Sequence, residues 1–184
     1  MKQRKLNEYC QLNDLCRHQG AVLFGSTFAA GIRMTELAQD YDLNRPVYNR
    51  SLEHISVFDA ADLLDTCVYQ LEPQAVFVNL GEDDLDFTDH TMDEVIAQYE
   101  WILYQIHAHL RKCQIHVVSV CGGHANSLRF NQALRALAKN AGCRYVDISD
   151  ANVSERPEVR AFGVLRSFLW PRNLNFGDAM SIVP

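Results

Sequence analysis

The sequence predicts an α/β fold built on a five-stranded parallel sheet. Three observations carry the prediction. Short apolar runs alternate with longer segments of helical period along the chain. Most of these runs stop at a turn signal such as Gly25, Gly81 or Gly122-Gly123. Strands separated by helices require right-handed crossovers, and those place the strands parallel.

The elements follow in order. Residues 1–19 read as a helix added before the first strand. Ala21-Val-Leu-Phe24 is a buried strand ending at Gly25. Ile32 to Tyr41 has helical period, and Val47-Tyr48 is a short second strand after Pro46. Ser56 caps a helix whose apolar face is Phe58, Ala61, Leu64, Val68 and Leu71, with Pro73 beyond its end. Ala75 to Leu80 is the third strand, closed by Gly81. Thr91 and Glu94 have the spacing of a capping box. They open a long helix with the stripe Val95, Tyr99, Ile102, Leu103, Ile106 and Leu110. Ile115 to Val120 is the fourth strand. Asn126 or Ser127 starts the next helix, with Phe130, Leu134, Leu137 and Ala141 inward and Gly142 at its end. Arg144 to Asp147 is the fifth strand, and the tail after Asp150 reads as irregular.

Composition narrows the function classes. The 184 residues carry 17 basic and 23 acidic side chains, a formal charge of -6. A nucleic-acid binder needs a basic footprint, which this balance argues against. Apolar residues at 48% and charged residues at 22% are ordinary for a globular chain, and one domain over 1–184 is expected. No run approaches the roughly 18 apolar residues of a membrane span. No apolar segment follows the basic start, so a secretory leader is not expected. The six cysteines, Cys10, Cys16, Cys67, Cys113, Cys121 and Cys143, form no Cys-x-x-Cys pair. Reduced thiols, a cytoplasmic location and no cofactor are the expectation.

In a parallel sheet of this kind, ligands bind outside the C-terminal strand ends. Three strand-end segments stand out: Phe24-Gly-Ser-Thr-Phe-Ala-Ala-Gly31, Tyr48-Asn-Arg-Ser-Leu-Glu-His54 and Asn79-Leu-Gly-Glu-Asp-Asp-Leu85. In order and spacing they resemble the first three sequence blocks of the SGNH, or GDSL, hydrolases, which read Gly-Asp-Ser-x-x-x-Gly, Asn-Arg-Gly and Gly-x-Asn-Asp. The helix around Asn131 and the strand Arg144 to Ile148 are also similar to that family. The resemblance covers about residues 20–176. It implies a three-layer α/β/α, flavodoxin-like fold with sheet order 2-1-3-4-5, and a serine ester hydrolase or acylhydrolase. In the family a block-one Ser attacks, and its N–H, a glycine and the block-three Asn stabilise the oxyanion. A C-terminal Asp-x-x-His supplies orienter and base. That is activated-hydroxyl acyl transfer.

Carried over residue by residue, the sequence departs at nearly every position. Gly25 and Gly31 keep the block-one spacing, which puts Ser26 on the family's Asp and Thr27 on its nucleophile. The oxyanion glycine falls among Ser51, Glu53 and His54. Gly81 and Asp84 remain in block three, but Asp83 stands where the donor Asn is implied. An ionised Asp accepts hydrogen bonds and donates none. Ser167 and Trp170 align by eye with the Asp and His of the last block, ahead of Pro171. Independently of that alignment, no His follows His124 and the only Asp after Asp150 is Asp178. A C-terminal Asp-x-x-His is absent in any register.

The leading expectation is therefore a catalytically degenerate hydrolase relative that binds a small polar ligand or a partner protein. An active ester hydrolase is the alternative, with Ser26 or Thr27 attacking and His54 or His124 rebuilt as base. A third reading is a metal-dependent enzyme using Asp83, Asp84 and His124. The run Glu82, Asp83, Asp84, Asp86 and Asp89 lacks calcium-loop spacing and reads as a solvated acidic loop. Cys121 near His124 is a conceivable nucleophile pair. His107, His109 and His116 read as surface.

Overall fold

The computed structural model describes residues 2–40, 43 and 45–169. Five strands form one sheet: β1 (Ala21–Gly25), β2 (Val47–Asn49), β3 (Ala75–Asn79), β4 (Gln114–Val118) and β5 (Arg144–Val146). Their order is β2-β1-β3-β4-β5, and every neighbouring pair is parallel. The helices are α1 (Lys2–Asn13), α2 (Thr27–Gly31), α3 (Met34–Asp40), α4 (Val57–Ala61), α5 (Leu64–Cys67), α6 (Met92–His109), α7 (Ser127–Asn140) and α8 (Pro157–Leu169).

Side chains alternate across a strand, so each strand feeds two cores. Val22, Phe24, Val76, Val78, Ile115 and Val117 meet Tyr9 of α1, Ala60 of α4, Leu64 of α5, the buried stripe of α6 and Phe130 of α7. Ala21, Leu23, Phe77 and Val118 meet Ala29 of α2, Met34 of α3 and Phe162 of α8. The result is the three-layer α/β/α architecture that the sequence implies.

The capping box at α6 is formed in full. Thr91 Oγ1 accepts from the Glu94 N–H, and the Glu94 carboxylate accepts from the Thr91 N–H at 2.8 Å. Val95, Tyr99, Ile102, Leu103 and Ile106 are all buried. In α7 the inward side chains are Phe130, Leu134, Leu137 and Ala138, with Ala141 only half-buried.

Three expectations are corrected. The single helix expected from Ser56 onward is α4, α5 and a 3₁₀ turn at Tyr69–Leu71. Val68, at φ -130° and ψ -58°, leaves the helical path, and the apolar face is buried through short turns instead. The tail is not irregular. Pro157 sits at the first position of α8, a common helix start, and Ala161, Phe162, Leu165 and Leu169 face inward. Gly163 and the surrounding charges obscure that stripe in the sequence. His116 is not on the surface. It is fully buried on β4, an interior strand covered on both faces, and stacks on Phe77 at 4.4 Å. Tyr41, the expected end of the second helix, lies outside the described residues.

Candidate functional site

The C-terminal ends of β1, β2 and β3 bring three loops together. Gly25 pairs with Asn79 across β1 and β3. A Cβ on Gly25 would lie 2.3 Å from the Asn79 carbonyl oxygen, so only glycine fits this approach. The chain then turns into α2 at Ser26 and Thr27. On the other side, Gly81 adopts φ 96° and starts a 3₁₀ turn over Glu82–Asp84. A Cβ there would fall 2.4 Å from the Phe130 ring.

Thr27 is the centre of the arrangement. Its Oγ1 lies 3.2 and 3.1 Å from the two carboxylate oxygens of Asp83, to which it donates. It also accepts from the His54 backbone N–H at 3.0 Å. The Thr27 hydroxyl is thus engaged as donor and as acceptor. His54 itself sits at φ 55°, a left-handed conformation that favours glycine. Its ring Nδ1 is 3.6 Å from Asp83 Oδ1 and its side chain is 76% exposed. Of Ser51, Glu53 and His54, it is His54 whose N–H points at the Thr27 hydroxyl. The Ser51 N–H instead donates to Asn49 Oδ1 at 2.9 Å, and Ser51 is buried. Glu53 is exposed and, with His54, lines a hollow of about 940 Å³ beside the site.

The acidic turn acts as a brace with three attachments. Glu82 accepts from the Phe28 N–H in the first turn of α2 at 2.8 Å. Asp83 holds Thr27. Asp84 accepts from the Val57 N–H at the start of α4 at 3.0 Å. Burial raises the Glu82 carboxyl, against the Phe28 hydrogen bond that lowers it. Burial likewise pushes Asp84 up to about 6. Glu82 and Asp83 are therefore both committed to the start of α2, and Asp84 to the start of α4. No group of three His, Cys, Asp or Glu side chains arranged to hold a metal ion occurs among the described residues. The proposed set of Asp83, Asp84 and His124 does not assemble, because His124 Nε2 pairs with Asp86 at 2.9 Å.

Other expected positions fall elsewhere. Ser26 is buried, and its hydroxyl neither caps α2 nor finds another hydrogen-bond partner. Glu82 does the capping from 54 positions away. Ser26 is thus out of reach of a substrate. Cys121 approaches the Ile148 carbonyl at 3.9 Å, not His124, and burial pushes its thiol up to about 12. Ser167 lies near the end of α8 and lines a hollow with Gln74, Gln114 and Arg144, at the opposite ends of the strands. A 13-residue helix spans about 20 Å, so α8 carries Ser167 away from the cleft. The segment between β5 and α8, residues 147–156, is what borders the strand tips, and it holds no His. Trp170 lies outside the described residues. Asn49 stands in the second block, where the sequence assigns it no role. Its amide nitrogen donates to the Ala29 and Ile32 carbonyls at 2.7 and 2.8 Å and ties the second loop to α2.

Solved structures with the same architecture decide what this fold is. A protein from Streptococcus pneumonia described as a candidate platelet activating factor superposes with a TM-score of 0.78 at 14% identity, covering 91% of this chain and 92% of that one. The chain has the SGNH/GDSL hydrolase-like fold. A GDSL-like lipase from Bacteroides thetaiotaomicron matches at TM-score 0.72 and 12% identity over 89% of this chain and 96% of its own. A catalytic mutant of an acetylxylan esterase from Geobacillus stearothermophilus matches at 0.64 and 15%, over 84% and 94%. No protein-family model and no curated protein sequence matches the chain. In this fold Thr27, His54 and Asp83 lie in the loops that follow β1, β2 and β3.

Proposed function

We propose that this protein is a catalytically silent relative of the SGNH hydrolases whose cleft binds a small polar ligand. One observation carries the reading: the Thr27 hydroxyl is clamped between the Asp83 carboxylate and the His54 N–H. Ester hydrolysis by this fold needs donors aimed at a developing O⁻. Here Glu82 occupies the Phe28 N–H, and Asp83 presents negative charge beside Thr27, the one hydroxyl of the first loop that is not fully buried. An oxyanion at that place would face two carboxyl groups. The charge favours a neutral or cationic polar ligand over an anionic one. Incubation with a fluorophosphonate probe and a short-chain nitrophenyl ester tests the reading. No labelling and no turnover above buffer is expected from folded protein. Either signal, abolished in Thr27→Ala, would overturn it.

A second reading rests on the 3.6 Å approach of His54 Nδ1 to Asp83. Thr27 would attack an ester carbonyl, Asp83 would take its proton, and His54 would orient Asp83. The acyl group would pass to Thr27, the alcohol would leave with the proton, and water would release the acid. Loss of turnover in both Thr27→Ala and His54→Ala would favour it. We place it second because an imidazole titrates near neutrality and suits proton transfer, whereas a carboxylate ordinarily does not.

A further inference from the structure

We infer that the hollow at the N-terminal ends of the strands is a binding site for a small molecule that carries a chain of phosphate groups. It measures about 990 Å³, a volume of the size that holds small-molecule ligands. Its polar walls come from the starts of four strands. Arg45 precedes β2, Gln74 precedes β3, Arg111 and Lys112 precede β4, and Arg144 opens β5. A five-residue strand such as β3 spans about 17 Å, so this site is separate from the cleft around Thr27.

Charge identifies the ligand. Four of the chain's 17 basic residues line the hollow, against one of its 23 acidic residues, Glu72. The chain as a whole carries -6, so the hollow is a positive island on an acidic protein. Arg45, Arg111, Lys112 and Arg144 form no ion pair among the described residues, while Glu72 approaches His18 at 3.6 Å. Cations gathered in one concavity repel each other and concentrate anions there. Arg111, Lys112 and Arg144 belong to β4 and β5, neighbouring strands about 4.8 Å apart. A single carboxylate would offset one of these three charges. A chain of two or three phosphates offsets all of them, and guanidinium forks match phosphate oxygens bidentately. β2 lies three strand positions from β4, about 14 Å, so Arg45 meets the far end of a longer ligand that runs past Gln74.

Isothermal titration calorimetry with tripolyphosphate and with ATP tests the proposal. Each should bind saturably at one site, and each should displace the other. Lys112→Gln and Arg144→Gln should both weaken binding at least about tenfold, as loss of a charge-assisted hydrogen bond implies. Arg129→Gln removes an exposed cation at the start of α7, by the opposite strand ends, and should change affinity by less than about twofold. Thermal melts should show all three variants folded, since each side chain is exposed. Failure of tripolyphosphate or of ATP to bind would overturn the proposal. So would equal losses in all three variants, the mark of net charge alone, or citrate binding as tightly as tripolyphosphate.

Discussion

Thr27 and Asp83 are joined through a hydroxyl that reaches both carboxylate oxygens, at 3.2 and 3.1 Å. In an acyl-transfer site the attacking oxygen hands its proton to a base poised near neutrality, and the neighbouring donors stay open for the oxyanion. Here the hydroxyl is held by a carboxylate, and the N–H of His54 is directed at Thr27 instead of an open cavity. In the proposed reading, this contact is what lets the first loop keep the spacing of a hydrolase without its chemistry.

Replacing Asp83 by Asn returns an amide donor to the third loop. The amide oxygen still accepts from Thr27, so stability should change by no more than about 1 kcal/mol in urea denaturation. Ester turnover should stay at background, because no imidazole is added as a base. Measurable turnover in Asp83→Asn would show that the carboxylate alone was silencing the site.

Asp84 gives the fold a pH signature. Its folded pKa, about 6, lies above the ordinary 3.8. Between those values the native state holds more protons than the unfolded chain, so its contribution to stability falls as pH rises through the window and stays low above it. Asp84→Asn should therefore stabilise the protein at pH 7.5 by on the order of 1–2 kcal/mol, allowing for partial exposure, and change little near pH 4. Denaturant titrations at the two pH values check this.

His116 works in the opposite direction. Burial holds it down at about 4 against an ordinary 6.5, and neither ring nitrogen has a hydrogen-bond partner. The unfolded chain binds the extra proton in that window, so stability falls as pH drops below about 6.5 and the loss is complete below about 4. His116→Phe should stabilise the protein by about 1 kcal/mol at pH 7.5, through removal of unpaired buried nitrogens, and by more at pH 5. Because the Asp84 and His116 windows overlap with opposite sign, wild-type stability should vary less with pH than that of either single variant.

Thr91 closes the capping box of α6. Thr91→Ala should cost about 1 kcal/mol and lower Tm by about 2–4 °C, read by calorimetry.

The sheet, its strand positions and the α6 cap were legible because they are local. Alternation, period and capping spacing act within a few residues, so Val76, Val78 and Thr91 announce themselves. α8 was hidden because Gly163 and dense charge interrupt its stripe, and His116 was misplaced because a polar residue on a central strand looks exposed by composition alone. The site was legible as three loops but not as a network. Glu82 caps α2 across 54 positions, and Asp84 reaches Val57 across 27. No local rule connects those pairs. The alignment of Ser167 failed for the same reason, since the helix that carries it away from the cleft was itself unseen.

Whether Thr27 can be acylated decides most directly if the cleft is catalytically silent. Purified wild type and Thr27→Ala would be incubated with a fluorophosphonate probe and analysed by intact-mass spectrometry. A silent cleft forms no covalent adduct on either protein while both remain folded. An adduct on wild type that maps to Thr27 and vanishes in the variant would contradict it and establish a working nucleophile at that loop.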